Sequence, residues 1–219
     1  MRRRGLNAPR VLIVGAAAGT GLACAEALAA HGADLILADC DGTQLTRVAD
    51  RLGALSRFCD VIGHASVDIF AEELGGIVPS IDVLINAAGR GYVRPLAMTR
   101  VTRAMLPLLR RGQGQRLIIN IASTGGFTTS DGIFPYGGSL EAFDQLSAAL
   151  EDQARGTGIE VVSIVPALSS GQGAKSLWSD EPYQLQQVDE IETADRVLEL
   201  IGTARPEWRQ RPPPIIRRA

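Results

Sequence analysis

The sequence predicts a single α/β domain built on one doubly wound parallel sheet, with strand order 3-2-1-4-5-6. Two observations carry this expectation. Short apolar runs alternate with helix-period segments along most of the 219 residues, and strands separated by helices imply parallel pairing through right-handed crossovers. A glycine-rich turn, Gly15-xxx-Gly19-x-Gly21, also stands between the first apolar run and the first helical segment, the place where such sheets carry their ligand turn. The length and the 46% hydrophobic content suit one domain with a substantial core.

The elements follow in order. Arg10 to Gly15 is an apolar run ending in glycine, and Leu22 to Ala30 is an alanine-rich helical segment that stops at Gly32, which gives strand, turn, helix. Asp34 to Ala38 then reads as strand, Gln44 to Leu52 as helix, Ser56 to Asp60 as a short strand and Ala65 to Leu74 as helix. Ile81 to Asn86 is the fourth strand, Arg100 to Arg111 a helix, Arg116 to Ala122 the fifth strand, Tyr136 to Arg155 a helix and Glu160 to Pro166 the sixth strand. Ile191 to Ile201 reads as the last helix. One domain over 1–219 is expected, with tails near 1–9 and 205–219.

A net charge of -2 gives no electrostatic case for nucleic acid or an anionic membrane surface. Arg2, Arg3 and Arg4 form a basic start, but no apolar run of signal or membrane-spanning length precedes the glycine turn, so a solvated tail is expected. Cys24, Cys40 and Cys59 have no metal-ligand spacing and no Cys-x-x-Cys pair. Reduced thiols in a cytoplasmic protein are the expectation, with no metal site. Cys40 and Cys59 both end predicted strands and are candidate neighbours, while His31 and His64 fall in a turn and a polar loop and are assigned no catalytic part.

Gly15, Gly19 and Gly21 lie where glycine lets a backbone approach a pyrophosphate and where helix N-terminal N–H groups bind it. The alternative is three glycines that only turn a tight corner. Asp39 ends the second strand 18 residues after Gly21. An acidic group there accepts hydrogen bonds from an adenosine ribose and repels a 2'-phosphate, so NAD(H) is expected over NADP(H).

Three further motifs complete a pattern: Asn86-Ala87-Ala88-Gly89 after the fourth strand, Ser123 thirteen residues before Tyr136, and Tyr136-Gly-Gly-Ser-Leu140. With the glycine turn, they resemble the short-chain dehydrogenase/reductase family over nearly the whole chain. The resemblance implies a Rossmann fold and a dinucleotide held by Gly15, Gly19, Thr20, Gly21, Asp39, Asp60, Val61, Asn86, Ala87, Ala88, Gly89 and Pro166. Asp60-Val61 would lie beside the adenine, although Asp60 also reads as a helix cap. Asn86 would both tie strands together and border the cofactor. Tyr136 would exchange a proton with the hydroxyl or carbonyl of an unidentified small-molecule substrate while hydride passes to or from the nicotinamide. Ser123 would hydrogen-bond the same oxygen.

The departures from the family are equally informative. Leu140 stands where the family has a lysine whose charge lowers the tyrosine pKa from its unperturbed value of about 10, and losing such help costs on the order of two to four powers of ten in rate. Lys175 is the one lysine in the chain, and it falls with Trp178 in the segment Ser169 to Pro182, which the resemblance makes a lid. Arg94 aligns with the asparagine that anchors a relay water in relatives. Either Arg94 or Lys175 is a candidate replacement cation. Ala167 replaces a glycine beside Pro166, and the segment between Gly89 and Thr99 is about a dozen residues short for the family, a connection of ordinary length, which predicts a shortened fourth helix. That shortening implies a monomer or a homodimer through another surface such as the last helix. Three consecutive prolines, Pro212 to Pro214, make a seventh strand at best partial. Three readings remain open: a slow or atypical NAD(H)-dependent alcohol dehydrogenase or ketone reductase, an inactive relative that responds to NAD(H) as a binding or regulatory protein, and a structural partner subunit of an active relative.

Overall fold

The structure, a computed structural model, describes residues 8–88, 93–122, 136–164 and 190–205, the side chains of 93–94 and 136–144 excepted. The elements run β1 (Arg10–Val14), α1 (Gly19–Ala30), β2 (Asp34–Asp39), α2 (Gly42–Leu52), β3 (Leu55–Phe58), α3 (His64–Ile77), β4 (Val83–Asn86), α4 (Val93–Arg110), β5 (Arg116–Ile121), α5 (Tyr136–Ala154), β6 (Ile159–Ile164) and α6 (Glu190–Ala204). The six strands form one parallel sheet in the order β3-β2-β1-β4-β5-β6, the predicted one.

A parallel sheet covered on both faces needs strands that are largely apolar, and β1 and β4 meet this demand with buried Val11 to Val14 and Val83 to Ile85, with Asn86 a buried polar residue at the end of β4. Alternate residues divide between two layers. Leu12, Ile36, Leu84 and Ile118 pack in one core with Phe70 and Leu74 of α3, Val101 and Met105 of α4 and Leu150 of α5. Val11, Ile13, Leu37, Ile85 and Ile119 pack in the other with Leu28 of α1, Val48 of α2 and Val197 and Ile201 of α6.

Several boundaries move from their predicted positions. Helix α1 begins at Gly19, three residues before Leu22. Helix α2 begins at Gly42 because Asp41 caps it, its carboxylate accepting from Gln44 N at 2.9 Å. Helix α3 continues past the predicted end at Leu74, through Gly75 and Gly76 to Ile77. The largest shift concerns α4, which starts at Val93, not near Thr99, and has 18 residues. Pro95 is its third residue, and in a first turn the missing N–H has no intrahelical acceptor to lose. The proline-rich 206–219 lies outside the described residues.

At the N-terminal ends of the strands a buried polar network locks the layers. Asp82, 3% exposed at its side chain, pairs with Arg205 at 3.1 Å. It also accepts from Arg10 N at 2.8 Å. Arg205 donates in addition to the carbonyls of Gln113 (2.6 Å) and Gln115 (3.3 Å), and Arg10 bridges to Asp34 at 2.8 Å. Arg205, expected to begin a tail, is thus the bolt that holds the end of α6 to β4 and to the turn before β5. Removing one partner of a buried pair leaves an uncompensated charge and costs about 3–5 kcal/mol. Arg205→Ala is expected to lower the unfolding free energy by about 3 kcal/mol and the melting temperature by roughly 6–12 °C for a chain of this size; equilibrium denaturation with a matched thermal scan measures both.

Candidate functional site

Four strand ends converge at the C-terminal edge of the sheet, and they carry the residues expected to hold a dinucleotide. Gly15 follows β1 with φ +92°, a left-handed backbone suited to glycine. A Cβ there would lie 2.5 Å from Ala88 N and 2.7 Å from the Ala87 carbonyl carbon. Gly21, in the first turn of α1, would place a Cβ 1.9 Å from Gly15 O. The turn, the helix and the Asn86-Ala87-Ala88 segment therefore meet backbone to backbone. The Gly15 and Ala16 N–H groups bond Ala38 O at 2.8 and 3.2 Å, and Ala87 N bonds Val14 O at 2.8 Å.

Helix α1 has Ala18 at its N-cap with no side-chain cap, and no acidic residue in its first turn. Its N-terminal N–H groups and the positive end of its dipole are thereby available to an anion. Thr20 lies in this first turn, partly exposed. The fit to a pyrophosphate is good in both respects: side chains are excluded where a phosphate backbone must approach, and donors gather where its charge would lie.

Asp39 closes the other side of the turn. Its Oδ2 accepts from Ala17 N at 2.9 Å and its Oδ1 from Asp41 N at 3.0 Å, so the carboxylate that would face an adenosine ribose is fixed by the glycine turn itself. Asp60 follows β3, but it is not a helix cap: Gly63 occupies the N-cap of α3. Its Oδ1 instead accepts from Ile62 N and its N–H donates to Ser66 Oγ, both at 2.9 Å. Val61 is buried beside it.

Asn86 Nδ2 donates to Asn120 Oδ1 at 2.8 Å and to Thr102 Oγ1 at 3.0 Å. The side chain thus ties β4 to β5 and to α4, the strand-tying part expected of it. Asn120 and Thr102 were not picked out from the sequence. The available signal was a polar residue inside the apolar run Leu117-Ile-Ile-Asn120-Ile. Glu190 was missed as well: the first residue of α6 brings Oε1 to 3.4 Å from where a Cβ on Gly19 would stand.

The catalytic part is less fully described. Tyr136 is the first residue of α5 and Leu140 follows one turn later, while Arg94 is the second residue of α4; their side chains are not described. Gly89, Ser123, Pro166, Ala167, Lys175 and Trp178, with the segment 169–182, lie outside the described residues. Among the described residues no cluster of His, Cys, Asp and Glu could hold a metal, and no helix is long and apolar enough to cross a membrane.

Comparison with known proteins agrees with this architecture. A family model described as short chain dehydrogenase matches residues 9–101 and 93–182. The chain belongs to the short-chain dehydrogenase/reductase family. It is 28% identical over 185 residues to a fatty acyl-CoA reductase of Mycobacterium tuberculosis, an alignment covering 73% of this chain and 62% of that relative, less than two thirds of its length. Its fold is similar to that of Pseudomonas aeruginosa RhlG in an NADP complex, with a TM-score of 0.73, 24% identity and 92% of each chain covered. It is likewise similar to a short chain dehydrogenase/reductase from Burkholderia phymatum in complex with NAD, with a TM-score of 0.70 and 21% identity over 94% of this chain and 89% of that one. Proteins of this fold therefore bind either dinucleotide.

The cysteines respond to their surroundings. Burial pushes the thiols of Cys24 and Cys59 up to about 12, with the Asp60 carboxylate adding to the effect at Cys59. Cys40 is exposed, yet its thiol is raised too, by partial burial first and by Asp39 second. Nucleophilic thiolate is suppressed at all three. At pH 8 the folded protein is expected to release one equivalent of thionitrobenzoate from Ellman's reagent, at Cys40 and more slowly than free cysteine does, and three equivalents after denaturation. Peptide mapping of the labelled protein checks the assignment.

Proposed function

We propose that this chain binds NAD(H) in preference to NADP(H) and acts, slowly, as an oxidoreductase on an alcohol/ketone pair in the cytoplasm. The observation that carries the reading is the Asp39 carboxylate held against the glycine turn by Ala17 N–H. It puts a fixed negative charge where a 2'-phosphate would come, beside an uncapped helix terminus suited to the pyrophosphate. Asp41 and Asp60 add to the acidity of the adenine side. A bound nicotinamide would accept or supply the hydride. The residues of the chain supply the rest: Tyr136 gives or takes the proton of the substrate oxygen, and Ser123 hydrogen-bonds that oxygen.

The position of Leu140 one turn after Tyr136 explains why the reaction should be slow. An apolar side chain offers no charge to stabilise a phenolate. Leu140 also favours a second reading, a cofactor-responsive binding protein without turnover; tight dinucleotide binding with no detectable reaction on a broad panel of alcohols and ketones would select it.

Two experiments test the proposal. Calorimetric titration should give tighter binding of NADH than of NADPH, and Asp39→Ala should narrow the ratio by about tenfold, the equivalent of 1.4 kcal/mol for one lost charge contact. Tighter NADPH binding by the unaltered protein would overturn the cofactor assignment. For the chemistry, Leu140→Lys should raise turnover by on the order of tenfold to a hundredfold and move the governing ionisation to lower pH, because an ammonium favours the phenolate. The gain should vanish in Leu140→Lys/Tyr136→Phe. An ordinary dehydrogenase rate in the unaltered protein, with that ionisation already near neutral pH, would show that another group supplies the charge.

A further inference from the structure

We infer that Arg100, on α4, is a positioning residue for the adenine end of the dinucleotide, acting on Asp60 through the peptide plane that joins Val61 to Ile62; the inference rests on the dinucleotide reading of the site. Arg100 Nη1 donates to Val61 O at 3.0 Å and to Ile62 O at 2.6 Å, and Nη2 donates to His64 Nε2 at 2.8 Å. A guanidinium only donates, so Nε2 of His64 is the acceptor and its ring proton lies on Nδ1. One side chain from α4 thus grips three acceptors, on Val61, Ile62 and His64, around the turn between β3 and α3.

The consequence follows from the geometry of a trans peptide, whose C=O and N–H point in opposite directions. With Val61 O turned toward Arg100, the Ile62 N–H of the same plane points the other way, and there it meets Asp60 Oδ1 at 2.9 Å. The order of dependence is therefore guanidinium, peptide plane, carboxylate. The Asp60 N–H is separately held by Ser66 Oγ, which leaves the carboxylate's direction to the plane that Arg100 sets. Among the described residues no carboxylate pairs with Arg100. Its charge is spent on carbonyl and imidazole acceptors, and charge-assisted bonds of this kind are the stronger class. A lysine there would present a compact point charge without the fork needed to hold acceptors on two nitrogens.

The test separates the two ends of the cofactor. ADP-ribose, NADH and reduced nicotinamide mononucleotide are titrated into the unaltered protein, Arg100→Lys and Arg100→Ala, with thermal melting on each preparation and amide exchange at Ile62. Arg100→Ala should weaken ADP-ribose and NADH alike by about tenfold, leave the mononucleotide affinity unchanged and speed Ile62 exchange. Arg100→Lys should fall between and carries the test if Arg100→Ala does not fold. Unchanged ADP-ribose affinity in a folded variant, or an equal loss with the mononucleotide, overturns the assignment of Arg100 alone. Failure of the unaltered protein to bind either NADH or ADP-ribose overturns the dinucleotide reading, and this inference with it.

Discussion

The backbone of Gly15 lies so close to Ala88 that the atom a side chain would add falls 2.5 Å from the Ala88 nitrogen. Much of the site depends on that approach. It lets β1 and β4 run side by side to their ends, and it lets α1 leave the sheet immediately, with Gly21 packed on Gly15 O. Strand order turns at this point, since β1 has β2 on one side and β4 on the other. Crossovers diverge to opposite faces at such a switch and open the crevice in which α/β sheets take ligands. The small Ala87 and Ala88 complete the constraint, because they bring only methyl groups to the contact.

The charge layout follows from the same arrangement. Donors gather at the start of α1, while Asp39, Asp41 and Asp60 gather at the ends of β2 and β3, so one end of an elongated ligand meets positive potential and the other meets acceptors. Glu190 complicates this picture. A carboxylate beside Gly19 opposes any anion approaching the α1 terminus, and as a flexible, exposed group it can withdraw at small cost. The opposite edge of the sheet is built differently: the Asp82–Arg205 pair is buried and also bonds backbone groups of Arg10, Gln113 and Gln115, and it contributes rigidity there. The stiff edge supports the strands whose other ends bear the site.

Fold and cofactor turn were legible in the sequence because both depend on local signals. Short apolar runs rich in β-branched residues and closed by glycine, such as Val11 to Val14, read as strands buried on both faces, and Gly15, Gly19 and Gly21 mark a turn by composition. Element ends were less legible. The start of α4 at Val93 was hidden because the segment between Gly89 and Thr99 was read as a connection, and α3 ran through a glycine pair because tertiary packing outweighs the propensity cost of about 1 kcal/mol per glycine. The side-chain network was least legible. Nothing near Arg100 in the sequence announces Val61, Ile62 or His64, which are 36 to 39 residues away, and Asn120 gave only the faint signal of one amide among aliphatic neighbours.

On the proposed function, cofactor grip and chemistry fall to different parts of this chain. The turn, Asp39 and Asp60 all belong to β1, β2, β3 and α1. Tyr136 and Leu140 belong to α5, in the other half of the sheet. On the proposed reading, leucine in place of lysine at position 140 deprives the tyrosine of a neighbouring charge and leaves the glycine turn, Asp39 and Asp60 as they are. The halves are joined by buried Asn86, which reaches from β4 to Asn120 on β5 and to Thr102 on α4. That joint ties the two halves of the sheet whatever side chain stands at position 140. On the reading proposed above, Leu140 therefore bears on the rate of hydride exchange and not on the cofactor turn.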